Sequence, residues 1–175
     1  MRVALLQPTD AAAYRLLMLQ AYEGAADAFT STAQERAAEP PSFWVQRIAD
    51  PKGLSAAFGA FDGDALVGTV ALEFSAKPKT LHKALVIGMY VAPQARARGV
   101  GRALLEASIA HALGRNDLLA LTLTVTEGNG PAIHLYESAG FQTYGVEPQA
   151  IRTPSGFKGK VLMWRGLRPQ IVDTA

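Results

Sequence analysis

An apolar run from Ala84 to Val91 leads through Pro93 into Arg96-Ala97-Arg98-Gly99-Val100-Gly101, and behind that turn Ala103, Leu104, Ala107, Ile109, Ala110 and Leu113 recur at helical spacing. The turn therefore becomes the first residues of an amphipathic helix. A second apolar run, Leu118 to Val125, alternates Leu119, Leu121, Leu123 and Val125 with Ala120, Thr122 and Thr124, the two-residue period of a strand. Strand, glycine-bearing turn, helix and strand in that order confine this part of the chain to a sheet covered by helices.

The turn has a chemical consequence. The first N–H groups of a helix have no partner inside it, and the macrodipole adds roughly half a positive charge there, so the site favours a phosphate or pyrophosphate. Gly99 and Gly101 let a ligand approach the backbone, and Arg96, Arg98 and Arg102 place three guanidinium forks along a short arc. A polyphosphate ligand is implied. It is not held by a known nucleotide motif. A dinucleotide-binding turn would want a third glycine where Leu104 stands, and a Walker loop would need Gly-Lys-Ser/Thr.

Gly88 interrupts the first apolar run, which points to a bulge or a close backbone approach. If the bulge pushes the two strands apart, each turns unpaired amides and carbonyls to the gap. An extended ligand with amides of its own can pair there like an added strand, and pantetheine is such a ligand.

Elsewhere the pattern is that of one compact unit. Arg2 to Leu6 reads as a strand, and Pro8-Thr9-Asp10 starts a helix with an apolar face of Leu16, Leu17, Leu19 and Tyr22. Thr32-x-x-Glu35 makes a capping box, and another helix runs from about Phe43 to Ala49. Asp62-Gly63 turns a hairpin between Leu54 to Phe61 and Leu66 to Phe74. Gln142 to Val146 and Lys160 to Trp164 are the last strands, with a loop over Thr153 to Gly159 between them. Residues 1–167 form a single domain and 168–175 a polar tail.

Several classes of function fall away. A length of 175 residues with 49% hydrophobic content argues against disorder. The formal charge of +2 is small, and the arginines cluster at the turn, so nucleic acid is not needed to explain them. Met1 to Gln7 is too short for the apolar core of a signal peptide, and no run approaches a membrane span, which leaves a cytoplasmic protein as the expectation. The absence of cysteine excludes disulfides and a cysteinyl acyl-enzyme. Gly53-Leu54-Ser55-Ala56-Ala57 falls short of a nucleophile elbow because its last glycine is Ala57. His134 and Glu137 stand three apart, but His82 and His111 offer no partner spacing, so no metal is expected.

Arg96-x-x-Gly99-x-Gly101 after Met89-Tyr90-Val91, followed by Asn129-x-x-Ala132-x-x-Leu135-Tyr136-x-x-x-Gly140-Phe141, resembles the GNAT superfamily of acetyl-CoA-dependent N-acetyltransferases. Upstream, Asp27-Ala28-Phe29-Thr30-Ser31-Thr32 and Phe43-Trp44 are similar to the acceptor-side helices of small bacterial members. The resemblance implies an α/β (α+β) fold: a mixed, mostly antiparallel sheet of about seven strands, splayed between strands 4 and 5 and flanked by about four helices. It also implies acetyl-CoA as co-substrate. Backbone groups at Met89, Tyr90 and Val91 would hold pantetheine, and amides at Arg96, Arg98, Gly99, Val100, Gly101, Arg102 and Ala103 the pyrophosphate. Asn129 would contact the pantetheine arm and Tyr136 would protonate the departing thiolate. Many members pair as homodimers, which leaves that arrangement open.

An alkyl amine with a pKa of about 10.4 is neutral in only about one molecule in two thousand at pH 7, a deprotonation cost of roughly 4.6 kcal/mol. A base is therefore needed, and Glu73, Glu127, Glu147, His82 or a water wire from one of them could supply it; Glu73 is favoured because it would lie at a strand end near the gap. A phenol facing a thiolate is uphill by about 2 kcal/mol for full transfer, so Tyr136 would act by hydrogen bonding and late proton donation. A main-chain amide near Val91 is the natural donor to the developing oxyanion. Tyr22, Glu23, Asp27, Phe29, Trp44, Tyr144 and Phe157 are candidates for the acceptor pocket of a small-molecule or peptide amine. The alternative is a catalytically silent acyl-CoA-binding or interaction module of the same fold.

Overall fold

The computed structural model describes residues 1–168. Strand β1 (Arg2–Leu5) is followed by helix α1 (Ala11–Gly24), the short α2 (Ala33–Ala37) and α3 (Pro41–Ala49). The hairpin β2 (Ser55–Asp62) and β3 (Ala65–Phe74) leads to β4 (Lys83–Val91), α4 (Val100–Leu113), β5 (Ala120–Thr126) and α5 (Gly130–Ser138), and the chain closes with β6 (Gln142–Thr153) and β7 (Gly156–Gly166). The strands make one seven-stranded sheet in the order β1-β2-β3-β4-β5-β7-β6. Every pairing is antiparallel except β4 with β5.

Side chains alternate across this sheet and build a core on each face. On one side Phe58, Val70, Leu72, Leu121 and Leu123 pack with Leu104 and Leu105 of α4 and Tyr136 of α5. On the other, Ala57, Ala71 and Tyr90 pack with Tyr14, Met18 and Trp44 of α1 and α3. The buried stripe of α1 is Tyr14, Leu17, Met18, Ala21 and Tyr22, while Leu16 is 61% exposed. The face expected from Leu16, Leu17, Leu19 and Tyr22 is thus rotated: Leu17 and Tyr22 are buried, Leu16 is not, and the spacing i, i+3, i+4, i+7, i+8 begins at Tyr14.

Local signals set several boundaries. The Thr32 side chain accepts from the Glu35 N–H at 3.1 Å while Glu35 accepts from the Thr32 N–H at 2.7 Å, the reciprocal capping box expected for α2. The turn between β2 and β3 is Gly63-Asp64, with Gly63 at φ +59. The last hairpin departs from expectation. β6 and β7 are longer than their apolar cores, and the loop shrinks from Thr153 to Gly159 down to Pro154-Ser155. β6 runs through Pro148 because it is an edge strand whose register shifts between Glu147 and Ile151, and an edge with a bulge accommodates proline. Of the expected polar tail, residues 169–175 lie outside the described residues. Arg168 instead docks on the chain, its Nη2 donating to the Leu113 and Arg115 carbonyls at 3.1 and 3.2 Å, where a cation complements the C-terminal end of α4.

Candidate active site

The site follows from the way β4 parts from both neighbours. Against β3 the register shifts by one residue: Ile87 faces Ala71 and Tyr90 faces Thr69, so Gly88 and Met89 together stand opposite Val70. Gly88 makes this possible with φ +61, a conformation that costs a side-chain-bearing residue. Against β5, β4 pairs only through Lys83, Ala84 and Leu85 with Ala120, Leu121 and Thr122. Beyond those residues β5 stays paired with β7 up to Thr126, β4 stays with β3, and a wedge opens between them.

A cavity of about 350 Å³ fills the wedge and is lined from both faces of the sheet, by Tyr22, Phe29, Arg36 and Arg47 of the α1–α3 side and by Ala132 and Tyr136 of α5. Only a split sheet allows that. Of the residues singled out in sequence, Glu73, Met89, Asn129 and Tyr136 line this cavity together. Val91 does not. Its carbonyl accepts from Arg96 Nε at 3.0 Å, and the cavity wall is made two and three residues earlier, at Met89 and Gly88. Tyr90 points its ring into the opposite core.

Tyr136 is 7% exposed and packs edge-to-face on Phe141 at 5.8 Å. Burial holds its phenol well above the usual value, so it is protonated at neutral pH. Among the described residues no hydrogen bond to its hydroxyl is found. Asn129 is the N-cap of α5, its Oδ1 accepting from the Ala132 N–H at 3.3 Å, which leaves its amide N–H groups for a ligand. Glu73 reaches the cavity from β3 and pairs with Arg47 at 3.7 Å. Among the described residues no other carboxylate lines it. Glu127 belongs to a neighbouring groove with Glu23 and Asp27, and Glu147 lies across the β6–β7 pairing from Lys160.

The turn before α4 lies outside the cavity, at the far end of β4. Ala97 and Gly99 both have positive φ, +57 and +76, so the backbone winds into a concave run of amides. The first helical bond is Ala103 N–H to the Gly99 carbonyl at 3.0 Å, so the Ala103 amide is occupied rather than free for an anion. Among the described residues, none accepts from the N–H groups of residues 97–102. Val100 is buried and offers its backbone alone. A Cβ on Gly101 would meet Leu135 Cδ2 at 3.3 Å, so this glycine serves close packing, whereas Gly99 has open space beside it and is needed for its φ. The three arginines do not stand free as expected. Arg98 pairs with Asp62 at 2.9 Å, Arg102 with Glu106 at 2.8 Å, and Arg96 folds back over the Tyr90 ring. Exposed pairs of this kind are weak and exchange readily for a phosphate.

The remaining candidates scatter. Trp44 is core, Tyr144 and Phe157 are exposed away from the cavity, and Asp27 holds Lys158 at 2.7 Å while its carbonyl accepts from Thr126 Oγ1 at 2.6 Å. Those two contacts fasten the segment after α1 across the wedge. Sequence reasoning missed Arg36, Arg47 and Lys160, all of which line the cavity. A lysine inside the apolar alternation of β7 was the one available signal. Among the described residues no group of His, Cys, Asp or Glu could hold a metal, and no helix is long and apolar enough to cross a membrane.

A family model described as the acetyltransferase (GNAT) family matches residues 18–141. A mycothiol acetyltransferase of Geodermatophilus obscurus is 36% identical over 102 residues, 56% of this chain and 31% of that protein. An L-amino acid N-acetyltransferase of Escherichia coli is 31% identical over 103 residues, 59% of this chain and 62% of that protein. The chain thus spans less than two thirds of the length of either relative. Among solved structures, the ribosomal-protein-S18-alanine N-acetyltransferase of Escherichia coli has a TM-score of 0.75 at 20% identity, covering 99% of this chain and 98% of that chain. The protein yncA of Salmonella typhimurium, solved with its cofactor acetyl-CoA, has a TM-score of 0.81 at 18% identity, covering 100% and 98%. At such identities the likeness is one of fold.

Proposed function

Because the chain belongs to the GNAT acetyltransferase family, we propose that it moves acetyl from acetyl-CoA directly to a primary amine within the wedge between β4 and β5. The observation that supports this most is that a single cavity touches Tyr136, Glu73, Asn129 and the Gly88 bulge while the amides of residues 97–102 stand at the outer end of β4. A thioester arm needs that arrangement: an anion cradle, a strand edge along which to lie, and an acid beside its sulfur.

In this proposal the turn amides bind the pyrophosphate and the Asn129 side-chain N–H groups hold the pantetheine arm. Amides at the Gly88–Met89 bulge donate to the carbonyl oxygen as it gains charge. Glu73 takes the proton of the acceptor ammonium, directly or through water. The amine nitrogen then bonds to the carbonyl carbon as the carbon–sulfur bond breaks, and Tyr136 donates to the leaving sulfur. Residues 1–167 work as one unit in this scheme. The use of acetyl-CoA, an intracellular metabolite, supports a cytoplasmic location.

Calorimetric titration with acetyl-CoA, followed by thiol release over a panel of amines, tests the assignment. Binding and amine-dependent thiol release are expected. No heat from a folded sample removes the cofactor site; binding without thiol release across the panel returns the silent acyl-CoA-binding module.

A further inference from the structure

The cavity is more cationic than an amine alone requires. Among the described residues Arg36, Arg47 and Lys160 line it against one carboxylate, that of Glu73, which is already paired with Arg47 at 3.7 Å. Lys160 is 6% exposed, and none of the ion pairs among the described residues includes it. Burial pushes its ammonium below the ordinary lysine value, with Glu147 across the strand pairing opposing that shift. Arg36 pairs with Glu39 through Nη1 at 3.4 Å, while its Nε is buried without a hydrogen-bond partner. Two cationic groups are thus withdrawn from water toward one small cavity without full compensation, which costs free energy until an anion meets them. The phosphates of the donor do not answer this need, because no residue of the 96–102 turn lines the cavity.

We infer, on the basis of the transferase assignment above, that the acceptor is a primary amine that also carries a carboxylate, bound by Lys160 and Arg36 with its ammonium turned to Glu73. A polyamine would bring further positive charge to a positive wall. Tyr22 and Phe29, edge-to-face at 5.0 Å, offer an apolar side for the rest of the molecule. The substrate class is therefore the small amino carboxylates with an apolar side chain.

Matched probes test this: amino carboxylates paired with their decarboxylated amines, for example leucine with 3-methylbutylamine, together with 4-methylpentanoate, which keeps the carboxylate and lacks the amine. Leucine-type acceptors exceed their decarboxylated partners in kcat/KM by about tenfold or more, the scale of one charged hydrogen bond. 4-Methylpentanoate binds in calorimetry and competes with the amino carboxylate. Lys160→Met raises KM for the amino carboxylate about tenfold while kcat changes less than threefold, and Arg36→Gln, at a more exposed position, provides the second variant should Lys160→Met fold poorly. Equal or better use of the decarboxylated amines or of spermidine overturns the inference and leaves the transferase standing. An unchanged preference ratio in both variants overturns it as well. Carboxylate binding without thiol release from any acceptor keeps the anion site and removes the transferase.

Discussion

Replacing Tyr136 by Phe removes one oxygen from a ring that is 7% exposed and packed against Phe141. Since no hydrogen bond to that oxygen is found among the described residues, the change strands no partner, and the thermal midpoint should stay within experimental scatter. The effect on turnover should be large. A positioned general acid contributes about 10²–10⁴ in rate, or roughly 2.7–5.5 kcal/mol at 1.36 kcal/mol per decade. Burial raises the phenol above its ordinary value, which makes it a weaker acid and full transfer to sulfur more uphill. The lower half of the range is therefore expected, about 10²-fold, exerted through a hydrogen bond to the leaving sulfur in a dry site. The phenol also remains protonated across the neutral range, so the neutral-to-mildly-alkaline limb of the kcat profile belongs to the acceptor amine or its base. The assay is thiol release under saturating acetyl-CoA and acceptor, with the dissociation constant for acetyl-CoA measured separately. A kcat within threefold of the parent protein, or a loss confined to cofactor affinity, refutes the acid role.

Gly88→Ala finds room, because its Cβ would lie 3.6 Å from the Tyr14 hydroxyl, but it meets the cost of φ +61; about 1–2 kcal/mol corresponds to a midpoint lower by roughly 2–8 °C for a chain of this size, and a midpoint unchanged or raised in a thermal melt would remove the bulge argument. Asn129→Ala loses the cap on Ala132 N–H and should cost about 1 kcal/mol together with acetyl-CoA affinity, whereas Asn129→Asp restores the cap and not the donor. Stability recovered without affinity is the expected pattern in paired melts and titrations; affinity recovered by Asp would contradict it. His111 lies edge-on to Phe58 at 5.5 Å, and burial followed by the Arg115 charge lowers its pKa. The unfolded chain then binds the proton more tightly, so the contribution of this site is complete above about pH 6.5 and is lost as pH falls toward the lower folded value. Melts between pH 7 and pH 5 should show a smaller decline for His111→Gln, and parallel curves would refute the assignment.

Features that live in a few consecutive residues could be read before any fold was known. The capping box at Thr32 and Glu35, the glycine that bends β4, and the turn whose amides open α4 all depend on local dihedral preference and on N–H groups that a helix cannot satisfy itself. Periodicity located most strands for the same reason. It misjudged α1, where a tyrosine begins the buried stripe, and β6 with β7, where an edge strand absorbs proline and bulges.

The site divides along the same line. The amide cradle and Asn129 at a helix start belong to the sequence, since each is a property of one short segment. Tertiary structure alone decided that Arg98 is paired with Asp62, and that Arg36, Arg47, Glu73 and Lys160, drawn from two helices and two strands, meet in one cavity. The meeting depends on how far β4 and β5 diverge and on which helices cover each face. Those quantities arise from packing between segments distant along the chain, where local pattern carries no distance information.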